Sequence, residues 1–130
     1  MIVTHYGLGA EFLQALRLIV PDSPTFYAVS LEPDAPIDEM RAKMREALGT
    51  ADQGEGVLVL TDMFGGTPSN LALSSLVNGK IDVIGGVNLP MLIHLAQIRS
   101  DLTLTEAVQA ASDAGKRYIR IGSQVMSRSK

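Results

Sequence analysis

The chain has 130 residues, 46% of them hydrophobic, and a formal net charge of −3 at pH 7. We expect one domain over residues 1–130, because this length and apolar content suffice for a core. The negative charge argues against general nucleic-acid binding, and the absence of cysteine excludes disulfides, a thiol nucleophile and thiolate metal sites. With no signal peptide and no apolar run of about 20 residues, we expect a cytoplasmic protein.

Strands and helices alternate along the first half of the chain. The predicted strands are residues 1–4, 25–30 and 57–61, and the predicted helices are residues 9–20 and 36–49. Pro21 and Pro24 end the first helix, since proline cannot continue it. The continuous apolar run at 57–61 is typical of a strand buried on both faces.

The second half continues this alternation. Pro68 begins a helix predicted to reach Asn78, with Thr67 as its N-cap and Gly79 as its stop. The remaining predicted elements are a strand at 81–84, helices at 88–99 and from 103 to just before Gly115, and a strand at 117–121. That last segment alternates polar and apolar residues, which is typical of an edge strand with one wet face.

This order predicts an α/β fold: a doubly wound, mostly parallel sheet with helices on both faces. In such sheets a ligand binds outside the carboxyl ends of the strands, where the strand order reverses. Three predicted strands end in polar or glycine-rich turns, at residues 4–7, 61–67 and 85–88. We therefore expect these three turns to share one rim.

His5 and Asp62 are the candidate catalytic residues on this rim. Imidazole is nucleophilic at neutral pH, and a carboxylate that accepts its N–H leaves the other nitrogen's lone pair facing outward. Either residue alone is more commonly structural, but if the strands that precede them are neighbours in a parallel sheet, the two side chains meet at its carboxyl edge. We therefore predict a histidine nucleophile oriented by an aspartate.

The turn Gly65-Gly66-Thr67 is a candidate phosphate-binding loop, because backbone N–H groups at a helix start attract anions. It is not a Walker A loop, since no Gly-Lys-Ser/Thr follows. Gly7-Leu8-Gly9 approaches the dinucleotide fingerprint, but Phe12 stands where the third glycine is needed. His94 is interpreted as structural or exposed, and no metal site is predicted from two distant histidines.

Three motifs together resemble one family. They are Ile2-Val3-Thr4-His5 followed by Gly7, the segment from Leu60 to Asn70 with its Asp-x-x-Gly-Gly-Thr-Pro-x-Asn pattern, and Gly86 to Met91. In order and spacing they resemble the mannose-family enzyme IIA domain of the bacterial phosphoenolpyruvate-dependent sugar phosphotransferase system. The resemblance covers nearly the whole chain. One departure is Tyr6, which stands where the family usually has glycine.

The resemblance implies a four-stranded parallel sheet and a homodimer in which a C-terminal strand pairs antiparallel with the partner's sheet. It places the phosphorylated histidine on His5 and the orienting aspartate on Asp62. The turn from Gly65 to Thr67, with Asn88, would contact the phosphoryl group, and no cofactor is needed. The implied partners are the phosphocarrier protein HPr as donor and an enzyme IIB as acceptor. Contact with a membrane would come only through a permease.

Two functions are compatible with this site. One is a transport phosphocarrier that serves an enzyme IIB, and the other is a regulatory module whose phosphorylation state is read by a protein partner. The sequence does not specify the sugar, because sugar contacts lie in the permease. A nucleotide-binding enzyme is a third, remote alternative.

Overall fold

The computed structural model describes residues 1–24 and 26–128. Four strands and six helices follow one another along these residues. They are β1 (Ile2–His5), α1 (Leu8–Ile19), β2 (Ala28–Leu31), α2 (Ile37–Ala51), β3 (Val57–Thr61), α3 (Thr67–Ser74), β4 (Ile81–Gly85), α4 (Leu89–Ala96), α5 (Leu104–Arg117) and α6 (Gly122–Arg128). All strand pairs are parallel, in the order β2-β1-β3-β4. The predicted α/β fold is confirmed.

Helices cover both faces of the sheet, because successive strand residues point to opposite faces. Val3 and Val59 face α2 and α3, and pack with Met40, Met44 and Leu71. Ile2 and Leu60 face α1, α4 and α5, and pack with Leu16, Leu92 and Ala111. Burying each large aliphatic side chain contributes about 1.5–3 kcal/mol relative to leaving it exposed. These two cores fix the register of β1 and β3.

The strand order reverses next to β1. The chain leaves β1 for β2 on one side, and it later enters β3 on the other side. Ile2 is paired with Leu60 and Val3 with Thr61, so the carboxyl ends of β1 and β3 lie side by side. This is the position at which open parallel sheets bind their ligands.

The amino group of Met1 lies at the amino ends of the strands, opposite the rim that carries His5 and Asp62. It donates a hydrogen bond of 2.9 Å to the carbonyl oxygen of Leu58. Burial disfavours the charged form and lowers the pKa of this amine from 8.0 to about 5. The amine is therefore neutral at pH 7 in the folded chain.

Several predicted element ends are displaced, three of them as follows. β2 begins at Ala28, and the predicted start at residue 25 lies outside the described residues. α4 ends at Ala96, before Arg99. α3 ends at Ser74 rather than Asn78, because the hydroxyls of Ser74 and Ser75 both donate to the carbonyl of Leu71. Such side-chain bonds compete with continuation of the helix.

Residues 117–121, predicted as an edge strand, do not form a strand within the described part of a single chain. α5 continues through Gly115 to Arg117, and α6 follows from Gly122. Gly115 does not stop the helix but allows close packing: an added Cβ would lie 2.8 Å from the Cε of Met91. Ile119 and Ile121 are 74% and 59% exposed, so the alternating segment has no apolar surface to cover within this chain.

Candidate active site

The sheet brings His5 and Asp62 together at the ends of β1 and β3. His5 Nδ1 lies 2.8 Å from Asp62 Oδ2, and the backbone N–H of His5 donates to the same oxygen at 3.1 Å. The other carboxylate oxygen, Oδ1, accepts from Met63 N–H at 3.1 Å. Because Asp62 can only accept when ionised, Nδ1 carries the hydrogen and Nε2 carries the lone pair.

Asp62 is held in its ionised form. Partial burial raises the pKa of the Asp62 carboxyl, but the hydrogen bonds from the side chain and backbone of His5, together with attraction to the imidazole in its protonated form, lower that pKa by more. The net result is a pKa below the usual value of 3.8. Because the Asp62 carboxylate stays ionised beside Nδ1, it can stabilise the positive charge that the imidazole gains when Nε2 forms a bond.

The backbone of Gly66 packs against the Cε1–Nε2 side of the His5 imidazole, and we call this contact the Gly66 wall. A Cβ added to Gly66 would lie 2.6 Å from His5 Cε1 and 2.9 Å from Nε2, closer than real side chains approach. The backbone of Gly66 is in an ordinary extended conformation, with φ −113° and ψ 172°. Glycine is therefore needed here for space rather than for backbone freedom, and it limits how the imidazole can rotate.

The two glycine N–H groups of the loop are already bonded. Ser69 Oγ accepts from Gly65 N–H at 3.0 Å and from Gly66 N–H at 3.3 Å, and donates to the Gly66 carbonyl at 2.9 Å. The sequence predicts that these N–H groups face a ligand, whereas they bond Ser69, which is not among the predicted site residues. The N-cap of α3 is Gly66, and Thr67, predicted as the cap, is the first helical residue. Thr67 is exposed, and its N–H has no partner within residues 1–24 and 26–128.

Asn88 serves as a structural cap. Its Oδ1 accepts from Met91 N–H at 3.0 Å at the start of α4, and its Nδ2 donates to the Gly115 carbonyl at 3.0 Å. The side chain thus joins α4 to the last turns of α5. Both ends of its amide are bonded away from the His5–Asp62 pair, so it anchors the third rim turn.

Two further residues shape the turn after β1. Thr4 is fully buried, accepts from Gly9 N–H at 2.9 Å and donates to the Tyr6 carbonyl at 3.3 Å. Gly9 N–H is therefore bonded within the chain, unlike the N–H groups of a dinucleotide-binding loop. Tyr6 has φ +49°, and its side chain is 62% exposed beside His5. A tyrosine in this left-handed region is strained.

The described residues hold neither a candidate metal site nor a helix able to span a membrane. Among residues 1–24 and 26–128 no cluster of three His, Asp or Glu side chains could hold a metal ion. His94 lies within α4, half-buried and away from the strand ends. Over the same residues, every helix is too short or too polar to cross a bilayer.

Comparison with known proteins identifies the family. The family model EIIA-man, described as the PTS system fructose IIA component, matches residues 1–112. The chain belongs to the EIIA-man family. This EIIA is 26% identical to the sorbose-specific EIIA component of Lacticaseibacillus casei, over 83% of this chain and 78% of that one. It is 27% identical to the fructose-specific EIIA component of Bacillus subtilis, over 100% of this chain and 90% of that one.

The solved structures agree with the family assignment. The EIIA fold matches the mannose/sorbose-specific IIA subunit from Enterococcus faecalis with a TM-score of 0.81 and 25% identity, covering 92% of this chain and 90% of that one. The chain spans 38% of the length of the mannose-specific EIIAB component of Escherichia coli, to which it is 27% identical. Membership supports a phosphocarrier role in a sugar phosphotransferase system and implies interaction with HPr and an EIIB.

Proposed function

We propose that this EIIA accepts a phosphoryl group on His5 Nε2 from phosphorylated HPr and passes it to an EIIB. The observation that carries the proposal is the 2.8 Å contact between His5 Nδ1 and Asp62, which leaves Nε2 as the nucleophile. The lone pair of Nε2 attacks phosphorus while the P–N bond to the HPr histidine breaks. Reversal of this step with an EIIB nucleophile then releases His5.

Asp62 and the loop have separate roles in this transfer. The Asp62 carboxylate stabilises the imidazole ring as it becomes positively charged, and the Gly66 wall holds the ring in line. Neutral donors suit a relay, because they stabilise spread charge without trapping the phosphoryl group. We assign the phosphoryl contact to the unpartnered Thr67 N–H at the start of α3. In this assignment the donors of Gly65, Gly66 and Asn88 are bonded within the chain, and these residues hold the turns around the site in place.

The surface around His5 suits a protein donor and acceptor. Tyr6, Met63 and Phe64 are 62%, 54% and 52% exposed, and all lie in turns on the site rim. Exposed apolar side chains around a nucleophile exclude water when a partner docks. We infer that HPr and EIIB contact these residues in turn, in the cytoplasm, and that a membrane is reached only through a permease.

We also propose a homodimer. The outer edge of β4 is unpaired along Ile81–Gly85, apart from a single bridge to Val77, within the part of the chain described here. Leu73, Leu76 and Val77 are exposed on the neighbouring helix and turn. An open edge beside apolar side chains invites strand pairing. The exposed segment 117–121 of a second copy has the alternation to cover it.

A phosphorelay assay tests the proposed function. With phosphoenolpyruvate, enzyme I and HPr, the protein should gain an acid-labile phosphate. His5→Ala should gain none, whereas His94→Ala should gain it at the parent rate. Phosphate on His5→Ala at the parent level would refute the assignment.

A further inference from the structure

The start of α3 lacks the side chain that usually caps a helix. An N-cap residue normally uses a side-chain oxygen to bond the first free N–H groups of its helix. Here the N-cap is Gly66, and the His5 imidazole occupies the space in which its side chain would lie. The position that borders the nucleophile therefore cannot also supply the cap.

Ser69, in the first turn of α3, instead bonds the backbone that leads into the helix. Its side chain is fully buried, and its hydroxyl has one hydrogen and two lone pairs. The hydrogen goes to the Gly66 carbonyl at 2.9 Å, and the lone pairs accept from Gly65 and Gly66 N–H at 3.0 and 3.3 Å. One hydroxyl thus uses its full bonding capacity on the two-residue segment that touches His5.

We propose that Ser69 is a positioning residue for phosphoryl transfer, holding the Gly66 backbone against the Cε1–Nε2 side of His5. This inference rests on the proposed function of His5. Ser69 itself does not contact the reacting atoms. It acts through Gly66, which fixes the direction of the Nε2 lone pair, and through Thr67, which follows directly in the chain.

The surroundings of Ser69 explain why its hydroxyl controls the position of the Gly66 backbone and not the folding of the chain. The loop before Gly66 is exposed, and the space around Gly65 is open. Without the hydroxyl, the freed N–H groups can turn to water, so the fold survives while the loop moves. A displacement of about 1 Å at a reacting group costs on the order of a hundredfold in rate.

Ser69→Ala and Ser74→Ala make a matched pair. Both lie in α3 and both lose one hydroxyl, but the Ser74 hydroxyl bonds the Leu71 carbonyl at the far end of the helix. We expect single-turnover transfer from phosphorylated HPr to fall roughly ten- to a hundredfold in Ser69→Ala, and less than about twofold in Ser74→Ala. Ser69→Cys replaces the hydroxyl with a larger group that accepts more weakly, so its rate should fall below that of the parent.

The ring of His5 provides a readout that general stability does not move. The NMR signal of its Cε1–H reports the Gly66 contact directly and needs no phosphate. It should shift or broaden in Ser69→Ala and stay unchanged in Ser74→Ala. An unchanged signal, or a Ser69→Ala transfer rate equal to that of Ser74→Ala, would overturn the inference. If the parent protein accepts no phosphate, the proposed function fails, and the Cε1–H signal alone then decides whether Ser69 holds the loop.

Discussion

Gly66→Ala introduces a single methyl group against the nucleophile. The backbone at Gly66 suits alanine, so the change acts only through space. The new Cβ would lie 2.6 Å from His5 Cε1, about 0.8 Å closer than ordinary contact at 3.4 Å. Either the imidazole or the loop must move by that amount.

The magnitude follows from what either movement breaks. If the imidazole moves, it weakens the hydrogen bond to Asp62, which for a charged group is worth about 1.5–3 kcal/mol. If the loop moves, it strains the bonds to Ser69, and overpacking costs about 1–3 kcal/mol. We expect phosphoryl transfer to fall about a hundredfold, because a nucleophile displaced by nearly 1 Å loses its alignment. Folding should be retained, since the rim is polar and partly exposed.

Gly7→Ala is the matched control. Gly7 lies two residues after His5 with φ −86°, and nothing lies within 4 Å of an added Cβ. Single-turnover transfer from phosphorylated HPr, measured beside thermal melting for both variants, separates crowding from a general effect of replacing glycine. Equal transfer rates in the two variants would show that Gly66 does not constrain His5.

Four further predictions address other parts of the molecule. Asp62→Asn should slow single-turnover transfer by roughly ten- to a hundredfold without unfolding the protein, because an amide can stabilise the wrong tautomer of His5; a parent rate would make Asp62 a turn residue only. Unfolded chains bind a proton at Met1 below pH 8 and folded ones only below about 5, so stability should rise from pH 5 to 8. This rise should approach about 4 kcal/mol in urea unfolding and persist in a variant lacking both histidines; a flat profile there would contradict the burial of the amine. Tyr6→Gly should leave the free energy of unfolding within roughly 0.5 kcal/mol of the parent, because relief of left-handed strain offsets the entropy cost of glycine. Tyr6→Val keeps the Cβ and adds a branch, so it should be less stable than Tyr6→Gly by roughly 1 kcal/mol, and equal stability of the two would argue against strain at Tyr6. The intact chain should sediment as a dimer and a chain ending at Tyr118 as a monomer, and a monomeric intact chain at micromolar concentration would count against strand exchange.

The sequence predicted the sheet and the His5–Asp62 pair because both depend on local signals. Continuous apolar runs mark buried parallel strands, and the residues directly after them must lie at the carboxyl edge. The family resemblance then pointed to the same pair. Its placement needed only strand order, not side-chain detail.

The details of the loop and the C-terminus were not predictable in the same way. The imidazole of His5 lies where a side chain at Gly66 would stand, and this depends on contacts between β1 and α3 that the sequence does not show. Gly115 looked like a helix stop, whereas its role is to make room for Met91. The pattern at 117–121 has strand periodicity, but a strand also needs a partner edge, which periodicity does not provide.

The buried amine of Met1 gives the protein a built-in probe of opening at the amino end of β1. The amine bonds the carbonyl of Leu58 in β3, so a reagent can reach it only when the start of β1 leaves its neighbour. An amine-directed label should therefore modify exposed lysines quickly and Met1 slowly. Mass spectrometry of the first peptide would follow this opening in the native protein, with no substitution and no denaturant.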